Sequence, residues 1–179
     1  GSIPIINGLT DFCHPCQVLA DLMTIREFKG SFDGLKMCFI GDGNNMANSL
    51  IVGALKVGMS VSIACPDDYQ PPKVILDFAA EYGDKFEMTN SPAQAAKGAD
   101  VLITDVWASM GEEAEIPERV RLLTPFRVTK ELMASTGNPD CLFMHCLPSF
   151  HDFETKVAKE AMERGYDIRE VTDEVFRSK

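Results

Sequence analysis

A run of lysine or arginine is missing from this 179-residue chain, whose net charge is −10. That charge excludes a nucleic-acid duplex or an anionic membrane surface as the expected partner. No apolar stretch approaches the roughly 20 residues a membrane-spanning helix requires, and no secretory signal is visible. Internal repeats, low-complexity segments and linkers are absent too. The six cysteines (Cys13, Cys16, Cys38, Cys65, Cys141 and Cys146) show no disulfide-framework spacing. Cys38, Cys65 and Cys141 sit in or beside apolar runs, where cysteine acts as a small hydrophobe. A reducing cytoplasm is the expected location. What remains is an ordinary globular balance, 45% hydrophobic and 25% charged, long enough for one domain with a full core. Gly1-Ser2 reads as a vector-derived scar, leaving residues 3–179 as a single domain.

The pattern along the chain alternates between strand and helix. Residues 15–28 carry apolar side chains at Val18, Leu19, Leu22, Met23 and Ile25, near a 3.6-residue period, with Pro15 early in the first turn. Strands are expected at 36–40, 60–64, 86–89, 101–104 and 142–145. Helices are expected at 45–57, 74–82, 92–97, 129–135 and 154–164, several of them closed by glycine. A long polar loop is expected after residue 104, and a short final element at 171–176. Strands alternating with helices imply parallel βαβ units, hence an α/β fold: a doubly wound, mostly parallel, Rossmann-like sheet with helices on both faces.

Three polar clusters follow apolar strands: Gly41-Asp42-Gly43-Asn44-Asn45, Asp105 to Glu112, and His145 to His151. Ligands of open α/β sheets bind where such loops leave the strands. Gly41-x-Gly43 invites a dinucleotide reading, but Met46-Ala47 supplies no third glycine. A polar turn with an asparagine cap and a small-molecule site are the other readings. Cys13-His14-Pro15-Cys16 is a C-x-x-C that reads as a redox pair, as half of a zinc site with His145, Cys146 and His151, or as a helix start at which His14 donates to an anion or carbonyl oxygen. Asp105 at a strand end suits an ammonium group, Trp107 reads as pocket wall or core, and Ser109-Met110-Gly111 as a loop that closes on a ligand. His145 and Cys146 suggest a nucleophile pair, yet adjacent strand residues point to opposite faces.

In order, His14-Pro15-Cys16-Gln17, Gly41-Asp42-Gly43-Asn44-Asn45, Asp105-Val106-Trp107-Ala108-Ser109-Met110-Gly111 and His145-Cys146-Leu147-Pro148 resemble the second half of ornithine carbamoyltransferase, over essentially residues 3–176. The resemblance implies transfer of the carbamoyl group of carbamoyl phosphate to the δ-amine of L-ornithine, giving L-citrulline and phosphate, with no metal or organic cofactor. It implies that Asn45 and Asp105 hold the ornithine α-carboxylate and α-ammonium, and that Ser109 and Met110 belong to the closing loop. His14 and Gln17, with Pro15 and Cys16 of the same motif, would address carbamoyl phosphate. Cys146 and Leu147 would lie at the reacting centre, Cys146 and His14 being the catalytic pair. The family's phosphate-binding Ser-Thr-Arg-Thr segment and its final helix are not found, so the chain is expected to be the ornithine-binding domain and inactive alone. The parent is expected to be a homotrimer. A putrescine carbamoyltransferase, a non-catalytic amino-acid-binding module and a nicotinamide-dependent oxidoreductase are the competing readings.

Overall fold

A computed structural model describes residues 2–108 and 113–178 and centres on a five-stranded sheet. Its strands are β1 (Lys36–Ile40), β2 (Ser60–Ala64), β3 (Phe86–Thr89), β4 (Val101–Thr104) and β5 (Leu142–His145), in the order β3-β2-β1-β4-β5. Every pairing is parallel, so each connection must cross back over a face of the sheet. Helix α1 (Pro15–Lys29) precedes β1, the crossovers carry α2 (Asn45–Lys56), α3 (Lys73–Ala80), α4 (Pro92–Ala96), α5 (Ile116–Leu123) and α6 (Lys130–Ser135), and α7 (Lys156–Glu163) and α8 (Asp173–Phe176) follow β5.

Successive strand side chains point to opposite faces, and both faces are covered. Met37, Phe39, Val61 and Ile63 pack with α1, α2 and α3 on one side. Cys38, Ile40, Ala64 and Leu102 pack with α4, α6 and α8 on the other. Strands buried on both faces carry apolar residues without alternation, which explains the apolar runs of β1 and β4. The doubly wound expectation therefore describes the observed sheet, which is parallel throughout rather than mostly so.

Val18, Leu22 and Ile25 of α1 enter the first core, each burial contributing roughly 1.5–3 kcal/mol of transfer free energy. Gly53 permits this contact, since a Cβ there would lie 2.6 Å from Cγ2 of Val18. Asn44 starts α2 by accepting from the amides of Met46 and Ala47, as an N-cap does.

One expectation needs correction. The stretch after β4 is not one long loop, because α5 lies within it. Pro117 falls in its first turn, where no intrahelical N–H is lost, and Ile116, Arg119 and Leu123 turn inward at helical spacing. The C-terminal segment is anchored, since Val171 forms a parallel bridge with Val128 and Val175 of α8 enters the second core.

Candidate functional site

The chain leaves β1 toward β2 and β3, then crosses back to β4 and β5, so its direction of winding reverses between β1 and β4. The loops after β1, β4 and β5 meet above that reversal and enclose a pocket of about 550 Å³. His14, Asn45, Asp105, Cys146 and Leu147 line it. Pro15, Cys16 and Gln17 are not among its lining residues. Ser109 and Met110 lie outside the described residues. Trp107 fills both of its expected roles, being 2% exposed yet part of the pocket wall.

Asp105 is the hub. It ends the β4 run at 7% exposure. Its Oδ2 accepts from Asn44 Nδ2 at 2.9 Å, and its Oδ1 accepts from the Val106 amide at 2.7 Å and the Cys146 thiol at 3.1 Å. The Asn44 amide cannot rotate without giving up the cap of α2, so the cap also fixes the carboxylate. Burial and then the neighbouring Asp105 charge push the Cys146 thiol far above its ordinary pKa. It therefore stays protonated and serves as a donor, not as a thiolate nucleophile.

His145, one residue earlier, points elsewhere. Its Nδ1 accepts from the Leu147 amide at 3.0 Å, which places its proton on Nε2, and Nε2 donates to Glu170 at 3.0 Å. His145 and Cys146 thus bond to different partners and form no hydrogen-bonded pair among the described residues. The donor atoms of Asp105, His145 and Cys146 lie within 4.8 Å of one another, but a cation there would have to displace the hydrogen bonds of all three. A second such group, His151, Asp152 and Asp173, is bridged by Arg177. Cys13 and Cys16 join neither group among the described residues; both sulfurs hydrogen-bond to Asn7.

On the facing side, Asn45, Asn48 and Ser49 of α2 bind Thr10 O, Phe12 O and the His14 amide, suturing the entry of α1 to the first turns of α2. The Asn45 amide retains a second N–H for a ligand. His14 Nδ1 lies 2.9 Å from the Gly8 carbonyl and therefore carries a proton, so Nε2 donates to a ligand only in the imidazolium form. Gln17 Nε2 donates to Asp21 Oδ1 at 3.0 Å, leaving its own oxygen as the open acceptor.

Gly43 argues against the dinucleotide reading. In that fingerprint the second glycine leaves room for a pyrophosphate; here a Cβ would lie 2.4 Å from the Pro71 nitrogen, so the protein's own loop fills that space.

Arg119 was not anticipated. It is 7% exposed and lines the pocket. It pairs with Asp42 and with Glu115, donates to the Trp107 carbonyl at 3.1 Å and stacks over Tyr69. It therefore ties the β1 loop to the β4 loop. The signal lay in the spacing Ile116, Arg119, Val120, Leu123, which puts the arginine on the buried face of a helix.

The aspartate/ornithine carbamoyltransferase Asp/Orn binding domain family matches residues 33–179, and the carbamoyl-P binding domain family matches residues 1–27. A catabolic ornithine carbamoyltransferase of Bacillus cereus is 49% identical across 99% of this chain and 54% of its own length. One from Clostridium perfringens is 50% identical across 99% and 56%. Among solved structures, ornithine carbamoyltransferase from Pyrococcus furiosus superposes with a TM-score of 0.84 at 45% identity, covering 99% of this chain and 52% of that one. The chain spans about half the length of the curated relatives it matches.

Proposed function

Because the chain belongs to the aspartate/ornithine carbamoyltransferase family, we propose that it is the ornithine-binding domain of an ornithine carbamoyltransferase, with residues 3–179 forming that one domain. The observation that carries the reading is Asp105, a buried carboxylate held by three donors at the pocket floor. It suits an α-ammonium group, while the spare N–H of Asn45 suits the α-carboxylate. Ser109 and Met110 are assigned to the loop that closes over the bound amino acid. In the reaction the δ-amine of L-ornithine attacks the carbonyl carbon of carbamoyl phosphate, the bond from that carbon to the phosphate oxygen breaks, and the amine loses a proton. The products are L-citrulline and phosphate.

The residue types agree with this chemistry. The attacking amine must be neutral, whereas a free alkylamine has a pKa of about 10.4. Apolar walls such as Trp107 and Leu147 disfavour the ammonium form. Negative charge develops on the carbamoyl oxygen, and a donor placed there is worth roughly 3 kcal/mol; the imidazolium form of His14 is the assigned donor. The open oxygen of Gln17 suits the carbamoyl NH2. Pro15 and Cys16 belong to that motif by position only. Cys146 and Leu147 are assigned to the reacting centre, Cys146 as a protonated thiol.

The phosphate anchor is assigned to a separate carbamoyl-phosphate domain, so the 179-residue chain is expected to show negligible turnover alone. The match of residues 1–27 to the carbamoyl-P family supports α1 as the segment where the two domains join. A homotrimeric parent and a cytoplasmic location complete the proposal. The free thiols support the location, and no described helix is long and apolar enough to cross a membrane. The test is carbamoyl transfer by the full-length protein, offered L-ornithine, putrescine and N-acetylornithine in parallel. Citrulline from ornithine alone is the expected result. Activity only with another amine would void the assigned ornithine contacts, and no activity with any would leave an amino-acid-binding module.

A further inference from the structure

Glu170 lies 25 residues from His145 in sequence and is fully buried, with 0% exposure. Its Oε1 accepts from three groups: His145 Nε2 at 3.0 Å, Ser149 Oγ at 2.7 Å and the Phe150 amide at 2.7 Å. Its Oε2 is buried with no hydrogen-bond partner among the described residues. A buried carboxylate is costly unless its interactions offset the desolvation, and here all of them converge on one short segment, His145 to Phe150. That segment contains Cys146 and Leu147 at the pocket wall. Leu147 has a φ of 57°, a left-handed conformation that a leucine holds only when its surroundings impose it.

The imposing contacts form a relay. Glu170 fixes the proton of His145 on Nε2, which leaves Nδ1 as the acceptor that holds the Leu147 amide. Ser149 and Phe150 pin the far end of the turn to the same oxygen. We propose that Glu170 is a positioning residue for the reaction: through the His145 imidazole and through Ser149 and Phe150, it holds the Cys146–Leu147–Pro148 turn in place at the pocket. This inference rests on the reading of the pocket as the carbamoyl-transfer site. Asp105 and Asn45 come from other elements, and Asn44 and the Val106 amide also hold Asp105, so Glu170 reaches the ornithine grip only through the Cys146 thiol.

The experiment uses the full-length protein and two variants of Glu170. Glu170→Ala removes the acceptor; kcat is expected to fall about 100-fold, since displacing a reacting group by about 1 Å costs that much, while the ornithine KM changes less than about threefold. Glu170→Gln keeps an acceptor oxygen in the same volume and is expected to lose only about three- to tenfold in kcat, a partial rescue by the conservative change. Nitrogen-15 NMR of labelled histidine, with His145→Gln for assignment, reads the relay directly. The wild type should show His145 with its proton on Nε2, and the alanine variant a mixture of tautomers. Should that variant not fold, the glutamine variant carries both readouts. Unchanged kcat and an unchanged tautomer in a folded variant with a lowered melting temperature would overturn the proposal, as would a wild-type proton on Nδ1. If the wild-type protein transfers no carbamoyl group, the functional reading fails, while the tautomer measurement still decides whether Glu170 sets His145.

Discussion

Replacing Asp105 by asparagine separates the role of its charge from that of its shape. An asparagine has one acceptor oxygen where the aspartate has two, and three donors now converge on that carboxylate. If the oxygen faces the Val106 amide and the Cys146 thiol, the new NH2 meets the NH2 of Asn44. Turning Asn44 around would relieve the clash but strip the amides of Met46 and Ala47 of their cap. Either way at least one donor loses its acceptor, which costs about 1–3 kcal/mol of stability. Binding suffers separately: a charged hydrogen bond to an ammonium group is worth about 1.5–3 kcal/mol, so the ornithine KM should rise roughly ten- to a hundredfold. The assay is initial rates of the full-length protein against L-ornithine at saturating carbamoyl phosphate, with urea unfolding alongside. The KM for carbamoyl phosphate is the internal control and should move less than about threefold. A stability loss with an unchanged ornithine KM would refute the reasoning, showing Asp105 to be only the scaffold that joins Asn44 to Cys146.

Arg119→Met deletes the buried partner of Asp42 and the donor to the Trp107 carbonyl; breaking such a pair should cost about 3–5 kcal/mol in urea unfolding, and adding Asp42→Asn should recover part of it. A loss below about 1 kcal/mol would mean that the pair is not structural. Asp21 is buried, its Oδ2 has no hydrogen-bond partner among the described residues, and burial raises its carboxyl pKa above 3.8. The folded chain thus binds that proton more tightly than the unfolded chain does, so ionised Asp21 costs stability at neutral pH, and the cost disappears as pH falls through its folded pKa to below 3.8. Relative to wild type, Asp21→Asn should therefore gain stability as pH rises from 3.8 to 7, and a flat difference across that range would refute the shift. The outer face of α1 shows Leu19 and Met23, one turn apart, at 61% and 66% exposure, an apolar patch that implies a covering partner. Leu19→Lys with Met23→Lys should leave the melting temperature of the chain nearly unchanged and reduce its self-association in sedimentation experiments.

The sheet was legible because its determinants are local. Apolar runs such as those of β1 and β4, cut off by glycine and polar residues, mark strands whose bounds match the observed ones residue for residue. His14, Asn45, Asp105, Cys146 and Leu147 were legible as a group because each follows or faces a strand end, and the fold brings strand ends to one edge. Arg119 escaped notice because the surrounding Glu115, Glu118 and Arg121 make α5 look like solvated loop. Its apolar stripe is narrow, and only packing shows which charged residue shares it. Glu170 escaped for a different reason. Flanked by Arg169 and Val171, it resembles any surface acid. Its burial is decided by His145, Ser149 and Phe150, which are remote in sequence. Buried polar groups of this kind are selected by partners that no local pattern encodes.

The same partners determine how the site should respond to change. Asp105 joins all three loops of the pocket: its own after β4, the β1 loop through Asn44, and the β5 loop through Cys146. Arg119 makes a second tie between the first two of these loops through Asp42 and the Trp107 carbonyl. Glu170 independently anchors the third. Substitutions at Asn44 and Cys146 should then be non-additive, because each releases a different oxygen of one carboxylate. Substitutions at Asn44 and Glu170 should add, because their anchors meet only through the backbone of the Cys146 turn. A double-mutant cycle on each pair, read as unfolding free energy, distinguishes a site built around one shared acceptor from one built of separate contacts. Coupling of Asn44 to Cys146 below about 0.5 kcal/mol would remove Asp105 from the centre of this arrangement.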